Sequence, residues 1–132
     1  MQELQRWRDY LDLPLTLEPK HFPVSDKLAA AMVIKLREQQ AVSALRLAGA
    51  CLRACWVEEK DISDRNTLLA IANENQLDGE ELLSAAEQAP QIIAADSEAA
   101  VKRGVFGAPS YLYNKQIFWG QDRLDFLDRA LK

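Results

Sequence analysis

Gly104-Val105-Phe106-Gly107-Ala108-Pro109-Ser110-Tyr111-Leu112-Tyr113-Asn114-Lys115-Gln116-Ile117-Phe118-Trp119-Gly120-Gln121-Asp122-Arg123-Leu124 reads as a turn, a strand, a tight turn, a second strand and a helix start. Gly107 and Pro109 punctuate the entry. Ser110 to Tyr113 and Ile117 to Trp119 are aromatic and β-prone, the composition of strands. Asn114-Lys115 lies where a two-residue hairpin turn belongs, and asparagine tolerates the positive φ of such turns. Gly120 then breaks the strand pattern. Leu124, Phe126, Leu127 and Leu131 recur at helical spacing, so the chain closes in a helix that starts near Gln121. Gln121 and Asp122 fall in its first turn, where free backbone N–H groups and the helix dipole suit an anion or an amino-acid headgroup.

Working outward, the preceding 103 residues read as helices. Gln2 to Leu11 carries Leu4, Trp7, Tyr10 and Leu11 on one stripe, and Leu13-Pro14 ends it. Leu15 to Leu17 is a short strand or an extended loop. Pro19 and Pro23 hold an irregular loop around His21 and Phe22. Ser25 or Asp26 caps a helix carrying Leu28, Met32, Val33 and Leu36. A longer helix runs from Ala41 to Glu58 with Val42, Leu45, Leu47, Leu52 and Trp56, and its Ala48-Gly49-Ala50 suits close helix packing. Ser63 or Asp64 caps the next, which carries Leu68, Leu69, Ile71 and Ala72. Leu77-Asp78-Gly79 turns the chain into a helix from Glu80 to Ala89. Pro90 opens another, Gln91 to Arg103, which Gly104 stops. The fold class is α+β and mostly helical, a single domain of 1–132 with 1–103 mainly helical and 104–132 a hairpin with its closing helix.

At 132 residues the chain is long enough for one domain with a core of useful size. Hydrophobic residues make up 48% and charged residues 27%, a globular balance. The net charge of −4 argues against nucleic acid or an anionic membrane surface as a partner. No apolar run reaches the roughly 20 residues that span a bilayer. The N-terminus, Met-Gln-Glu-Leu-Gln-Arg-Trp-Arg, lacks the apolar block of a signal peptide, so a cytoplasmic location is expected. Charge runs such as Glu58-Glu59-Lys60-Asp61 read as a solvated face. Cys51 and Cys55, four apart on a helix, read as two small buried side chains rather than a Cys-x-x-Cys redox motif. No metal site is expected, because the one histidine, His21, is distant in sequence from both cysteines.

Gly-Val-Phe-Gly-Ala-Pro, the hairpin and Phe-Trp-Gly-Gln-Asp-Arg-Leu together resemble the C-terminal end of 2-hydroxychromene-2-carboxylate isomerases. These are kin of kappa-class glutathione transferases and of the DsbA-like branch of the thioredoxin fold. His21-Phe22-Pro23 is similar to that family's loop into its helical insert. Trp56 followed by Glu58-Glu59-Lys60-Asp61-Ile62 resembles its Trp-x-x-x-x-Asp-Ile helix exit. The ordered resemblance covers nearly the whole chain. It departs at the start: the family opens with a strand, a helix and a second strand, and the serine that meets the glutathione thiol sits near the end of the first strand. Nothing in residues 1–20 reads as that unit, so the expectation is a helical insert plus hairpin and helix with the first unit absent.

The resemblance implies a glutathione-dependent cis-trans isomerase of aromatic acids. In that chemistry a thiolate adds to an unsaturated aromatic acid, the adduct rotates about the former double bond, and the thiol leaves. By the same resemblance the Ala108–Pro109 bond is cis, and Ala108 and Pro109 meet the cysteinyl part of glutathione through backbone groups, as a strand would. Gln121 and Asp122 match the γ-glutamyl site, with Asp122 opposite the ammonium; as plain sequence they also read as helix-start residues. Arg123 reads as a surface or structural residue. His21 and Trp56 would contact the aromatic substrate, whereas their own context reads as a loop histidine without a visible partner and a core tryptophan. Lacking the serine segment, the chain is expected to be weakly active or inactive alone. The other reading is a non-catalytic protein whose aromatic hairpin edge pairs with a second copy or with an N-terminal partner segment. A thiol oxidoreductase is disfavoured by the absent Cys-x-x-Cys pair.

Overall fold

A computed structural model describes residues 2–132. Among them lie seven α-helices, α1 (Gln2–Leu11), α2 (Lys27–Arg37), α3 (Ala41–Trp56), α4 (Arg65–Glu74), α5 (Gly79–Glu87), α6 (Ile92–Lys102) and α7 (Leu124–Leu131). One antiparallel hairpin, β1 (Ser110–Tyr113) and β2 (Gln116–Trp119), precedes a single 3-10 turn, Gln121–Arg123. The architecture is the expected mostly helical α+β class. The segment Leu15 to Leu17 is a loop, and the helical ends fall one or two residues inside the predicted limits for α3 and α6. Contacts group the chain into two compact units, Met1–Ile93 and Ala94–Lys132.

The first unit is a helical cluster in which α2 packs on α3 and α5, and α4 packs on α3 and α5. Its centre is Met32, Leu47, Leu68 and Leu83, all fully buried. Each projects from a different helix, so four long side chains meet while alanines fill the approaches: Ala29, Ala31, Ala44, Ala54, Ala72 and Ala86 are all buried. Small residues let helix backbones come close, and burying apolar surface at about 25 cal/mol per Å² drives the association.

Helix α3 shows how packing selects a face. The sequence offers two apolar stripes, and the bulkier one, Val42, Leu45 and Leu52, is exposed at 65%, 75% and 61%. The buried face is Ala44, Leu47, Cys51, Ala54 and Cys55, the narrower residues. A methyl group on Gly49 would meet nothing within 4 Å, so this glycine does not serve helix packing among the described residues. The close approach lies instead at Gly79, buried at the start of α5. There an added methyl would fall 2.7 Å from the Leu69 side chain and 3.0 Å from the Leu69 carbonyl oxygen of α4. Helix starts follow the capping rules. The Asp64 carboxylate accepts from the Thr67 N–H at 2.8 Å, and that of Asp78 accepts from the Glu81 N–H at 3.0 Å. Asp26 stands at the start of α2 without a side-chain capping bond.

The second unit is the hairpin and α7, which packs on both strands. Gly104, at φ 84°, ends the preceding helix in the left-handed region as anticipated.

Candidate functional site

Asn114 and Lys115 adopt φ 48° and 63°, the pair of positive angles of a type I′ turn, whose twist matches that of the flanking strands. The turn sets the register: Ser110 faces Trp119, Tyr111 faces Phe118, Leu112 faces Ile117 and Tyr113 faces Gln116. The Gly120 N–H donates to the Pro109 carbonyl at 2.9 Å, carrying the ladder one step past the strands. Because an antiparallel ladder alternates, Pro109, Tyr111 and Tyr113 turn their backbone groups toward β2. Ser110 and Leu112 therefore turn theirs to the open edge.

Four predicted site residues gather at this end of the hairpin. The Ala108–Pro109 bond is cis, as expected. Ala108 is exposed, and its N–H and C=O have no backbone hydrogen-bond partner among the described residues. Pro109 pairs with Gly120, so Ala108 and the 3-10 turn carrying Gln121 and Asp122 adjoin the same end of the hairpin. Gly120, at φ 105°, lets the chain turn so sharply that the Asp122 carboxylate folds back over it. A methyl on Gly120 would fall 2.6 Å from Asp122 Oδ1.

Two neighbours qualify this arrangement. The Arg123 guanidinium donates to Asp122 Oδ2 at 2.8 Å, so the carboxylate has a cationic partner that sequence reading gave a surface or structural role. Both side chains are about half exposed, and such pairs contribute only about 0–1 kcal/mol, which a ligand cation can replace. The Ser110 hydroxyl donates to the Gly107 carbonyl at 2.6 Å, which commits its proton to the backbone. Beside them Phe106 and Trp119 meet edge to face, with ring centroids 5.1 Å apart. The hollow in this unit, about 370 Å³ and lined by Arg103, Leu112, Tyr113, Asn114, Lys115 and Ile117, lies at the turn end of the hairpin, away from Ala108.

His21 and Trp56 belong to the first unit, where the loop before α2 is fastened to the end of α3. The Thr16 N–H donates to the Trp56 carbonyl at 2.8 Å, and the Lys20 N–H to Glu59 Oε1 at 3.1 Å. The Phe22 ring lies on the Trp56 indole, centroids 4.6 Å apart and planes inclined by 46°. Trp56 is half-buried, intermediate between the core and the open-pocket readings. His21 does have a partner: its Nδ1 stands 4.0 Å from Asp61 Oδ2. Two hydrogen bonds from Ser63, chiefly, and the nearby imidazole hold the Asp61 carboxyl below its ordinary range. Asp61 and Phe22 were not singled out as site residues, because a contact across some forty positions leaves no periodic trace.

Cys51 and Cys55 are free and buried. Burial pushes the Cys51 thiol up to about 11, and burial followed by the Asp61 carboxylate raises that of Cys55. Such thiols are poor nucleophiles. Among the described residues no three His, Cys, Asp or Glu side chains converge as a metal-binding group. No helix among them is long and apolar enough to cross a membrane.

The chain resembles known proteins over nearly its whole length. The chain is 36% identical over 135 residues to a 2-hydroxychromene-2-carboxylate isomerase of Sphingobium xenophagum, a match covering 99% of this chain and 66% of that protein. In fold it matches the solved structure of a selenomethionine 2-hydroxychromene-2-carboxylate isomerase with a TM-score of 0.72 at 24% identity. That match covers 98% of this chain and 62% of the other. The chain thus spans a little under two thirds of the relatives' length. The model of the DSBA-like thioredoxin domain matches residues 1–132, so the chain belongs to the DsbA-like thioredoxin family.

Proposed function

We propose that this protein takes part in glutathione-dependent isomerisation of a small aromatic acid, of the 2-hydroxychromene-2-carboxylate type, by holding glutathione at the cis-proline end of its hairpin. The observation that supports this reading is an exposed Ala108 peptide without a backbone hydrogen-bond partner at the hairpin end where Gln121 and Asp122 also lie. In this reading Ala108 binds the cysteinyl backbone as an added strand does, with Pro109 beside the thiol. Gln121 and Asp122 hold the γ-glutamyl group, its ammonium taking the place of Arg123 on the carboxylate. His21 and Trp56 serve the aromatic acid. When bound, glutathione supplies the thiol nucleophile. The cytoplasm, where glutathione is kept reduced, is the compartment the reading requires.

The Ser110 hydroxyl beside Pro109 donates to the Gly107 carbonyl, so it is not positioned to activate that thiol. A glutathione thiol with an ordinary cysteine pKa of about 8.5 is only a few per cent ionised at pH 7. The chain alone is therefore proposed to bind glutathione and turn over slowly or not at all. Calorimetry with glutathione on the purified chain should show binding that Asp122→Ala abolishes. An absorbance assay on a chromene carboxylate with glutathione should stay near the uncatalysed rate. No binding at millimolar glutathione would overturn the ligand assignment, and robust turnover lost in Ser110→Ala would overturn the account of the missing hydroxyl.

A second reading, an interaction protein whose hairpin pairs with a second copy or a partner segment, is favoured by the exposure of Leu112, Ile117 and Trp119 at 42%, 36% and 52%. Light scattering across a concentration series tests it, and a strict monomer that captures no added strand peptide rules it out.

A further inference from the structure

The hollow of about 370 Å³ at the turn end of the hairpin is one-sided in charge. Arg103 and Lys115 line it and no carboxylate does, in a chain whose net charge is −4. Neither cation has an ion-pair partner among the described residues. Beside the two cations the lining is apolar. Leu112 and Ile117 stand opposite each other on β1 and β2, and Tyr113 adjoins them. We propose that this hollow binds a small carboxylate carried on an apolar aromatic body, with the acid group on Arg103 and Lys115 and the body against the Leu112–Ile117 pair.

Backbone geometry sets the walls. The Tyr113–Gln116 pair closes the two-residue turn, and Leu112 and Ile117 form the next pair inward, so they share one face of the hairpin. The end of α6 comes against the same pair: a methyl on Gly104 would stand 3.3 Å from Ile117 Cδ1. There the Gly104 N–H donates to the Val101 carbonyl at 2.9 Å and the Val105 N–H to the Ala100 carbonyl at 3.1 Å. These bonds fix the helix end that carries Arg103. They also occupy carbonyls that would otherwise oppose an anion. A guanidinium offers a carboxylate two parallel N–H donors, and the lysine adds a second positive charge. The apolar pair gains only from a ligand with an apolar body, which a bare inorganic anion lacks. The volume falls in the range of small-molecule sites, about 300–1,000 Å³. None of Ala108, Gln121 and Asp122 lines the hollow, so this site does not rest on the glutathione reading.

Naphthoate is the probe, with naphthamide as its neutral counterpart and inorganic phosphate as the bare anion. Titrated into the isotope-labelled full chain, naphthoate should shift the backbone amide resonances of Arg103, Leu112, Lys115 and Ile117 to saturation. The shifts should be the same in Asp122→Ala. Naphthamide and phosphate should each bind about tenfold more weakly or worse. Arg103→Gln and Lys115→Gln should each weaken naphthoate, and the double variant should lose the saturable shifts with its helical circular dichroism unchanged. The comparison of the three probes needs only the wild-type chain and decides the matter if a variant fails to fold. Naphthoate that leaves these amides unmoved, that binds the folded double variant as tightly, or that is matched by naphthamide or by phosphate would overturn the site.

Discussion

Adding one methyl group to two glycines of this protein should move its stability in opposite directions. Gly49 lies in the middle of α3, exposed, with nothing within 4 Å of a methyl added there. Alanine at such a position gains about 0.5–1 kcal/mol, because glycine loses the most backbone freedom on folding. Gly79 is buried at the first position of α5, and the added methyl meets Leu69 Cδ1 at 2.7 Å, Asn73 Oδ1 at 2.8 Å and Leu69 O at 3.0 Å. The leucine methyl can rotate away, but the carbonyl is backbone of α4. Asn73 Oδ1 accepts the Gly79 N–H at 3.1 Å and cannot withdraw without losing that bond. Overpacking of this kind costs about 1–3 kcal/mol and the hydrogen bond about 1 kcal/mol more. The propensity gain offsets up to about 1 kcal/mol, leaving a net loss of about 1–3 kcal/mol. The unfolded-state effect is the same in both variants and cancels in the comparison.

For a chain of this size 1 kcal/mol shifts Tm by roughly 3–5 °C. Urea and thermal melts followed at 222 nm should place Gly49→Ala above the wild type and Gly79→Ala below it. A neutral or stabilising Gly79→Ala would refute the close approach of α4 and α5. A destabilising Gly49→Ala would show that the exposed stripe of Val42, Leu45 and Leu52 is covered in solution, since only a neighbour there can make the methyl costly.

Two further outcomes follow from named contacts. Cys51, raised to about 11 from an ordinary 9.0, keeps its proton in the fold after the unfolded chain has lost it. Its contribution is therefore complete below pH 9 and is lost as pH rises toward 11, so urea midpoints should fall across that window less steeply in Cys51→Ala than in the wild type. In the hairpin a methyl on Gly107 would stand 2.5 Å from Trp119 Nε1, so Gly107→Ala should displace the indole from Phe106. A changed near-ultraviolet circular dichroism with unchanged helical signal would report it, and an identical aromatic spectrum would refute it.

What was legible in the sequence divides along physical lines. The hairpin, its Asn114-Lys115 turn and the Gly104 stop were readable because turn chemistry acts over two or three residues, through φ alone. No residue of Ala94–Lys132 is fully buried, so nothing in that unit overrides its local preferences. The helical unit is different. Helix α3 carries two apolar stripes, and hydrophobic weight favours Val42, Leu45 and Leu52, yet the buried stripe is the one built from alanine and cysteine around Leu47. That choice depends on how near α2 and α4 can come, a three-body property that periodicity does not encode. The candidate site shows the same split. Ala108, Pro109, Gln121 and Asp122 converge because a hairpin brings its own ends together, whereas Asp61 reaches His21 only through the packing of a whole helix. Arg123 lies between these cases: adjacent to Asp122 in sequence, it reads there as a surface or structural residue, because adjacency predicts no contact by itself. It is the sharp turn at Gly120 that brings the Asp122 carboxylate back over the chain. The residues that would bind glutathione are thus fixed by local geometry, and those of the loop at α3 by tertiary packing.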